Sequence, residues 1–129
     1  MNYQEALTFM SKAKDMTKGR PTGQRGTRMR YSIHPETKLP VVSLTYHNTA
    51  VVAWRHDTTM FMNNGWHTLT TKNRINEHLS QFHLYIVQRD FKWYLQRRDG
   101  HLGPLTNEWG LSHDFVITVT PEGKVNFPQ

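Results

Sequence analysis

The chain of 129 residues contains no cysteine. That single absence excludes disulfides, thiolate nucleophiles and cysteine-ligated zinc sites together. No apolar run approaches the roughly 20 residues that a membrane-spanning helix needs. The opening residues, Met1-Asn2-Tyr3-Gln4-Glu5, lack the charged-then-apolar pattern of a secretory signal. The expected location is therefore the cytoplasm. Neither a Gly-rich phosphate loop nor a G-x-S-x-G elbow occurs, which leaves nucleotide hydrolysis and serine chemistry without support. No internal repeat stands out.

What is present is enough to fold. Hydrophobic residues make up 36% and aromatic residues 12% of the chain, so a single domain with a real core is expected. Charge is unevenly placed. Residues 1–30 carry seven basic and two acidic side chains, a net of +5. The other 99 residues carry nine basic and eight acidic side chains. A near-neutral body with a basic N-terminal segment points to an acidic partner, nucleic acid being the commonest. A net charge of +6 also serves solubility alone.

Spacing suggests the elements. Asn2 and Glu5 have capping-box separation, Ala6, Met10 and Ala13 recur at helical spacing, and Gly19 and Pro21 supply a stop. A helix over 1–18 follows. Residues 19–30 hold three glycines, a proline and four arginines with little to bury, and read as a basic flexible arm. From Val41 the period changes to two, with strands expected at Val42–Tyr46, Ala50–Arg55 and Thr59–Asn63. Asn64-Gly65 marks a turn, Thr70 or Thr71 caps a central helix, and Ile75, Leu79 and Phe82 form that helix's buried face. Strands follow at Leu84–Gln88, Lys92–Arg97, Phe115–Thr120 and Lys124–Phe127, with a long loop over 98–112. Residues 31–129 thus form one α+β body. The fold class is a single α+β domain, mainly antiparallel sheet, with an N-terminal helix and one central helix.

The run Gly65-Trp66-His67-Thr68-Leu69-Thr70-Thr71-Lys72-Asn73-Arg74-Ile75-Asn76 reads as a strand handing over to a helix. With Thr27-Arg28, the Thr49 to Val52 strand and Trp93-Tyr94, it resembles a family of small bacteriophage-encoded proteins of unknown function that share G-W-x-T-x-T-T-x-x-R-I-N. The resemblance spans roughly residues 19–97. It implies a phage accessory role in an infected bacterial host and carries no activity or cofactor. The same residues also suit a purely architectural junction.

Eight histidines invite a metal or acid–base site, but their spacings argue otherwise. There is no His-Glu-x-x-His pair, and His78 and His83 do not share a helical face. The triplets His47-Asn48-Thr49 and His56-Asp57-Thr58 lie close together and suit turns. No metal ligand, cofactor or catalytic residue is assigned, and a metal-dependent hydrolase is the remotest function considered. The stronger candidates are Arg20, Arg25, Arg28 and Arg30, joined by Lys72 and Arg74, as contacts to a phosphate backbone. Trp66 and Trp109 are candidate stacking or partner contacts. Two functions follow: non-specific nucleic-acid binding through the basic segment, or a host-directed protein that binds and inhibits a bacterial enzyme or defence complex.

Overall fold

Asn2 opens the first helix as its spacing implies. Its side chain accepts the Glu5 N–H at 2.8 Å, and the Glu5 carboxylate accepts the Asn2 N–H at 2.9 Å. Two otherwise orphaned donors are thereby satisfied reciprocally. Helix α1 (Tyr3–Ser11) buries Ala6 and Met10, with Leu7 and Phe9 packed partly against the same core. The computed structural model describes residues 1–15, 18–47, 49–63, 69–90, 92–97, 100, 102–105 and 115–126.

The helix expected to reach residue 18 stops at Ser11. Between Lys12 and Asp15 only Ala13 has an apolar side chain to bury. Asp15 accepts the Lys18 N–H through Oδ1 at 3.2 Å and the Gly19 N–H through its carbonyl at 2.9 Å. Local side-chain bonding of this kind competes with another helical turn.

The stretch 19–30 departs further from expectation. Instead of a flexible arm it holds β1 (Arg20–Pro21) and the first half of β2 (Thr27–Ile33), paired antiparallel with each other. Strand β2 pairs along its whole length with β3 (Pro40–Tyr46). Thr27 and Met29 are buried while Arg28 and Arg30 are only half-buried, an alternation of period two. The arginines between the inward positions disguise a strand as a polar loop. A body starting at residue 31 would cut β2 in half.

Strands β4 (Thr49–Trp54), β5 (Thr59–Asn63), β9 (Phe115–Val119) and β10 (Val125–Asn126) complete a sheet ordered β1-β2-β3-β4-β5-β9-β10. A second sheet runs β6 (Tyr85–Arg89), β7 (Lys92–Gln96) and β8 (Leu102–Pro104). Among the described residues all ladders are antiparallel. The protein is therefore a single α+β domain with an N-terminal and a central helix. Strand β8 falls inside the loop expected over 98–112. Asn64-Gly65 and most of that loop lie outside the described residues.

Register sets the core. Met29, Leu44, Val52, Phe61 and Ile117 stand side by side across five strands, and all are buried. Helix α1 packs over β2 and β3, and α2 (Leu69–Leu79) over β4, β5 and β6. Thr71, Ile75 and Leu79 repeat every four residues and are all buried. Thr70 and Thr71 lie inside this helix rather than capping it, because Thr71 belongs to the same buried row. Phe82 follows in a 3₁₀ turn over Ser80–Phe82 and meets Phe61 edge-on at 6.4 Å. Tyr3 ties α1 to the sheet by donating to the Pro40 carbonyl at 2.8 Å.

Candidate nucleic-acid interface

Because α1 ends early, residues 12–15 and the turn at 18–19 lie beside the hairpin of β1 and β2. The turn and hairpin enclose a groove of about 360 Å³ lined by Lys12, Ala13, Lys14, Asp15, Lys18, Gly19, Arg20, Pro21 and Arg28. Five of those side chains are cationic and one is acidic. Lys12, Lys14 and Lys18 are exposed, so their ammonium groups are hydrated.

The two arginines are anchored. Arg28 donates from Nε to the Lys18 carbonyl at 3.1 Å and from Nη2 to the Gly19 carbonyl at 3.2 Å. Arg20 donates from Nη1 to the Phe9 carbonyl at 2.9 Å, and its guanidinium carbon lies 4.0 Å from the centre of the Phe9 ring. Each guanidinium has five N–H donors, so both retain capacity for an anion after these bonds. Gly19 sits at φ +82°, and a Cβ there would lie 2.2 Å from the Met29 carbonyl oxygen. Only glycine lets the turn approach β2 so closely.

The other residues singled out in the sequence fall elsewhere. Arg30 is half-buried on β2, and its Cγ lies 3.1 Å from where a Gly19 Cβ would stand. Arg25 is exposed in the turn between β1 and β2. Lys72 is half-buried on α2. Arg74 is used as a strut: Nε donates to Thr27 Oγ1 at 3.2 Å and Nη1 to Glu77 Oε1 at 3.2 Å. Glu77 in turn accepts from Gln24 Nε2 at 2.9 and 3.0 Å, which fastens the same turn to α2. Trp66 and Trp109 lie outside the described residues. Trp54 and Trp93 are core residues, 0% and 2% exposed, and Trp54 donates its indole N–H to the Met1 carbonyl at 3.1 Å.

The end of the twelve-residue motif is thus architectural where it is described. Arg74 holds the β1–β2 turn and Ile75 fills the core. Asn76 holds the second sheet, donating to the Ile86 carbonyl at 2.9 Å while accepting the Ile86 N–H at 2.7 Å. Lys12, Lys14 and Lys18 join this groove because α1 ends at Ser11, whereas a helix continuing to residue 18 would spread them along its surface. Their excess charge was the available signal.

Among the described residues no group of three or more His, Cys, Asp or Glu side chains could hold a metal ion. His78 is largely enclosed, edge-on to Trp54 at 5.1 Å. Burial, helped by the nearby Met1 amino group and opposed by Glu77, holds its pKa below the ordinary imidazole range. His47 takes a left-handed turn conformation at φ 48° and His56 sits in the turn between β4 and β5, where Arg55 N–H donates to the Thr58 carbonyl. Among the described residues, no helix is long and apolar enough to cross a membrane.

Fold and groove together define a small α+β protein with a cationic concavity at the edge of its larger sheet. The family model for the Kyanoviridae Gp96 protein matches residues 10–117, and the chain belongs to that family of bacteriophage proteins. The matched span runs from the end of α1 into β9 and contains the whole G-W-x-T-x-T-T-x-x-R-I-N segment, so the resemblance to a phage family is borne out. No curated protein and no solved structure matches the chain.

Proposed function

We propose that the protein is a phage accessory protein that binds nucleic acid without sequence preference, through the ordered basic groove. The observation that supports this best is the convergence of Lys12, Lys14, Lys18, Arg20 and Arg28 on one concavity, with Asp15 as its only acidic lining residue among the described residues. Lysines act as adaptable point charges and the anchored arginines as fixed forks, a division suited to a phosphate backbone. Binding of this kind is driven by counterion release and carries no base information.

Helix α1, β1 and the start of β2 belong to the fold, so the test exchanges side chains and leaves the segment in place. Fluorescence anisotropy of labelled oligonucleotides compares the native protein with Lys14→Glu/Lys18→Glu. Micromolar binding at low salt that the double variant abolishes supports the proposal. Equal binding by both, or none by the native protein, removes it.

The host-directed reading has its own observation. The hairpin joining β2 and β3 presents Ile33 at 49% and Leu39 at 40% exposure. Its turn is rigid, since His34 N–H donates to the Leu39 carbonyl, and His34 Nδ1 accepts the Glu36 and Thr37 N–H groups. Two exposed aliphatic residues on a fixed tip suit insertion into a host protein. Co-purification lost in Ile33→Ser/Leu39→Ser, with oligonucleotide affinity unchanged, would identify that surface.

A further inference from the structure

The outward face of the three-stranded sheet has a chemistry of its own. Register places Tyr85 and Val87 of β6 opposite Gln96 and Tyr94 of β7, with Arg89 two residues beyond Val87. The alternate residues Ile86, Trp93 and Leu95 are buried in the core, so the first set faces away from it. Tyr85 is 44% exposed, Tyr94 is half-buried, and Arg89 is exposed. The two tyrosines are diagonal neighbours, positions about 7–8 Å apart on adjacent antiparallel strands.

We infer that this face is a stacking platform for the bases of single-stranded nucleic acid, with Tyr85 and Tyr94 as its rings and Arg89 as its phosphate contact. The inference rests on the nucleic-acid function proposed above and narrows the ligand to single strands. A duplex keeps its bases stacked on one another, whereas an unpaired base offers a free π-face to an aromatic side chain. A phenol supplies that face together with a hydroxyl that remains hydrated. Gln96 and Arg89 add hydrogen-bonding groups beside the rings. A protein interface core calls for contiguous apolar area. Among the β6 and β7 residues on this face, Tyr85 is the one large apolar residue that is more than a third exposed. The exposed aliphatic pair Ile33 and Leu39 lies on the β2–β3 hairpin of the other sheet.

The test compares a single-stranded oligothymidylate with an abasic strand of the same length, which keeps the phosphates and removes the bases. The native protein is expected to prefer the base-bearing strand. Tyr85→Ala/Tyr94→Ala is expected to lose about tenfold for each ring removed and to fall to the abasic affinity. Tyr85→Phe/Tyr94→Phe keeps the rings and is expected to keep the preference. Unchanged affinity of the alanine pair for the abasic strand shows that it is folded with its groove intact. If that pair is unfolded, Tyr85→Ala alone, at an exposed position, carries the test with a single tenfold loss. Equal binding of both strands by the native protein overturns the platform and leaves the groove standing. So does a preference that survives loss of the rings. Failure to bind either strand overturns groove and platform together, and turns this face toward a protein partner.

Discussion

Replacing Asn76 by alanine should destabilise the domain by about 2–4 kcal/mol, out of proportion to its place on a polar helix face. Asn76 spends both ends of its amide on one residue: Oδ1 accepts the Ile86 N–H at 2.7 Å, and Nδ2 donates to the Ile86 carbonyl at 2.9 Å. Ile86 is 2% exposed and lies on β6, an edge strand of the second sheet. Alanine leaves both backbone groups unpaired at a buried site, and each such group costs about 1–3 kcal/mol unless water reaches it. Asn76 is half-buried, so partial hydration places the sum below the maximum. Asn73→Ala, on the exposed face of the same helix, is the control and should change stability by no more than about 0.5 kcal/mol. Urea unfolding followed by circular dichroism measures both. Asn76→Asp tests direction as well as loss, because a carboxylate still accepts the Ile86 N–H but sets a second oxygen against the Ile86 carbonyl. Protonation restores a donor, so this variant should gain stability relative to native as the pH falls through its carboxyl pKa. If Asn76→Ala lies within about 0.5 kcal/mol of native, the amide bridge does not organise the second sheet.

Further outcomes follow from other sites. Gly19→Ala should cost more than about 2 kcal/mol, because strain at positive φ adds to collision with the Met29 carbonyl. Gly100→Ala, at φ +87° with nothing within 4 Å of the added Cβ, should cost about 1 kcal/mol, and equal losses in thermal melts would discount the close approach. For His78 the folded protein resists protonation, while the unfolded chain takes up the proton near the ordinary value of 6.5. Protons therefore favour unfolding: its contribution is fully present above that value and is lost as pH falls below it toward the lower folded pKa. Urea midpoints across that range should flatten in His78→Gln. An unchanged slope would assign the effect to other groups.

The parts of the fold written in plain periodicity were legible from sequence. Strand β3 alternates apolar and polar residues, and β4 and β5 are short apolar runs bounded by turn residues. The Ile75/Leu79 row announces α2, and the Asn2/Glu5 pair announces α1. Strand β2 was not legible, because Arg28 and Arg30 occupy its outward positions and glycines precede it, so one pattern fits a strand and a basic loop equally. The end of α1 depends on an Asp15 side chain bonding the backbone N–H of Lys18, which no apolar period records. For the groove, sequence supplied the charge but not its shape. The decisive contacts join Arg28 to the Lys18 and Gly19 carbonyls and Arg20 to Phe9, across a chain reversal. Nor does sequence distinguish a cation awaiting phosphate from one already engaged. Arg74 carries the same charge as Arg25, yet it is held by Thr27 and Glu77 while Arg25 is exposed.

The central claim is that an ordered groove of five cations tracks a phosphate backbone, and the salt dependence of binding tests it most directly. For a single strand the slope of log affinity against log salt is about −0.7 per neutralised phosphate, so the five groove cations set a slope of about −3.5. Removing two of them in Lys14→Gln/Lys18→Gln should bring it to about −2. A slope that the double variant leaves unchanged, or native binding indifferent to salt, would contradict the groove as the binding site.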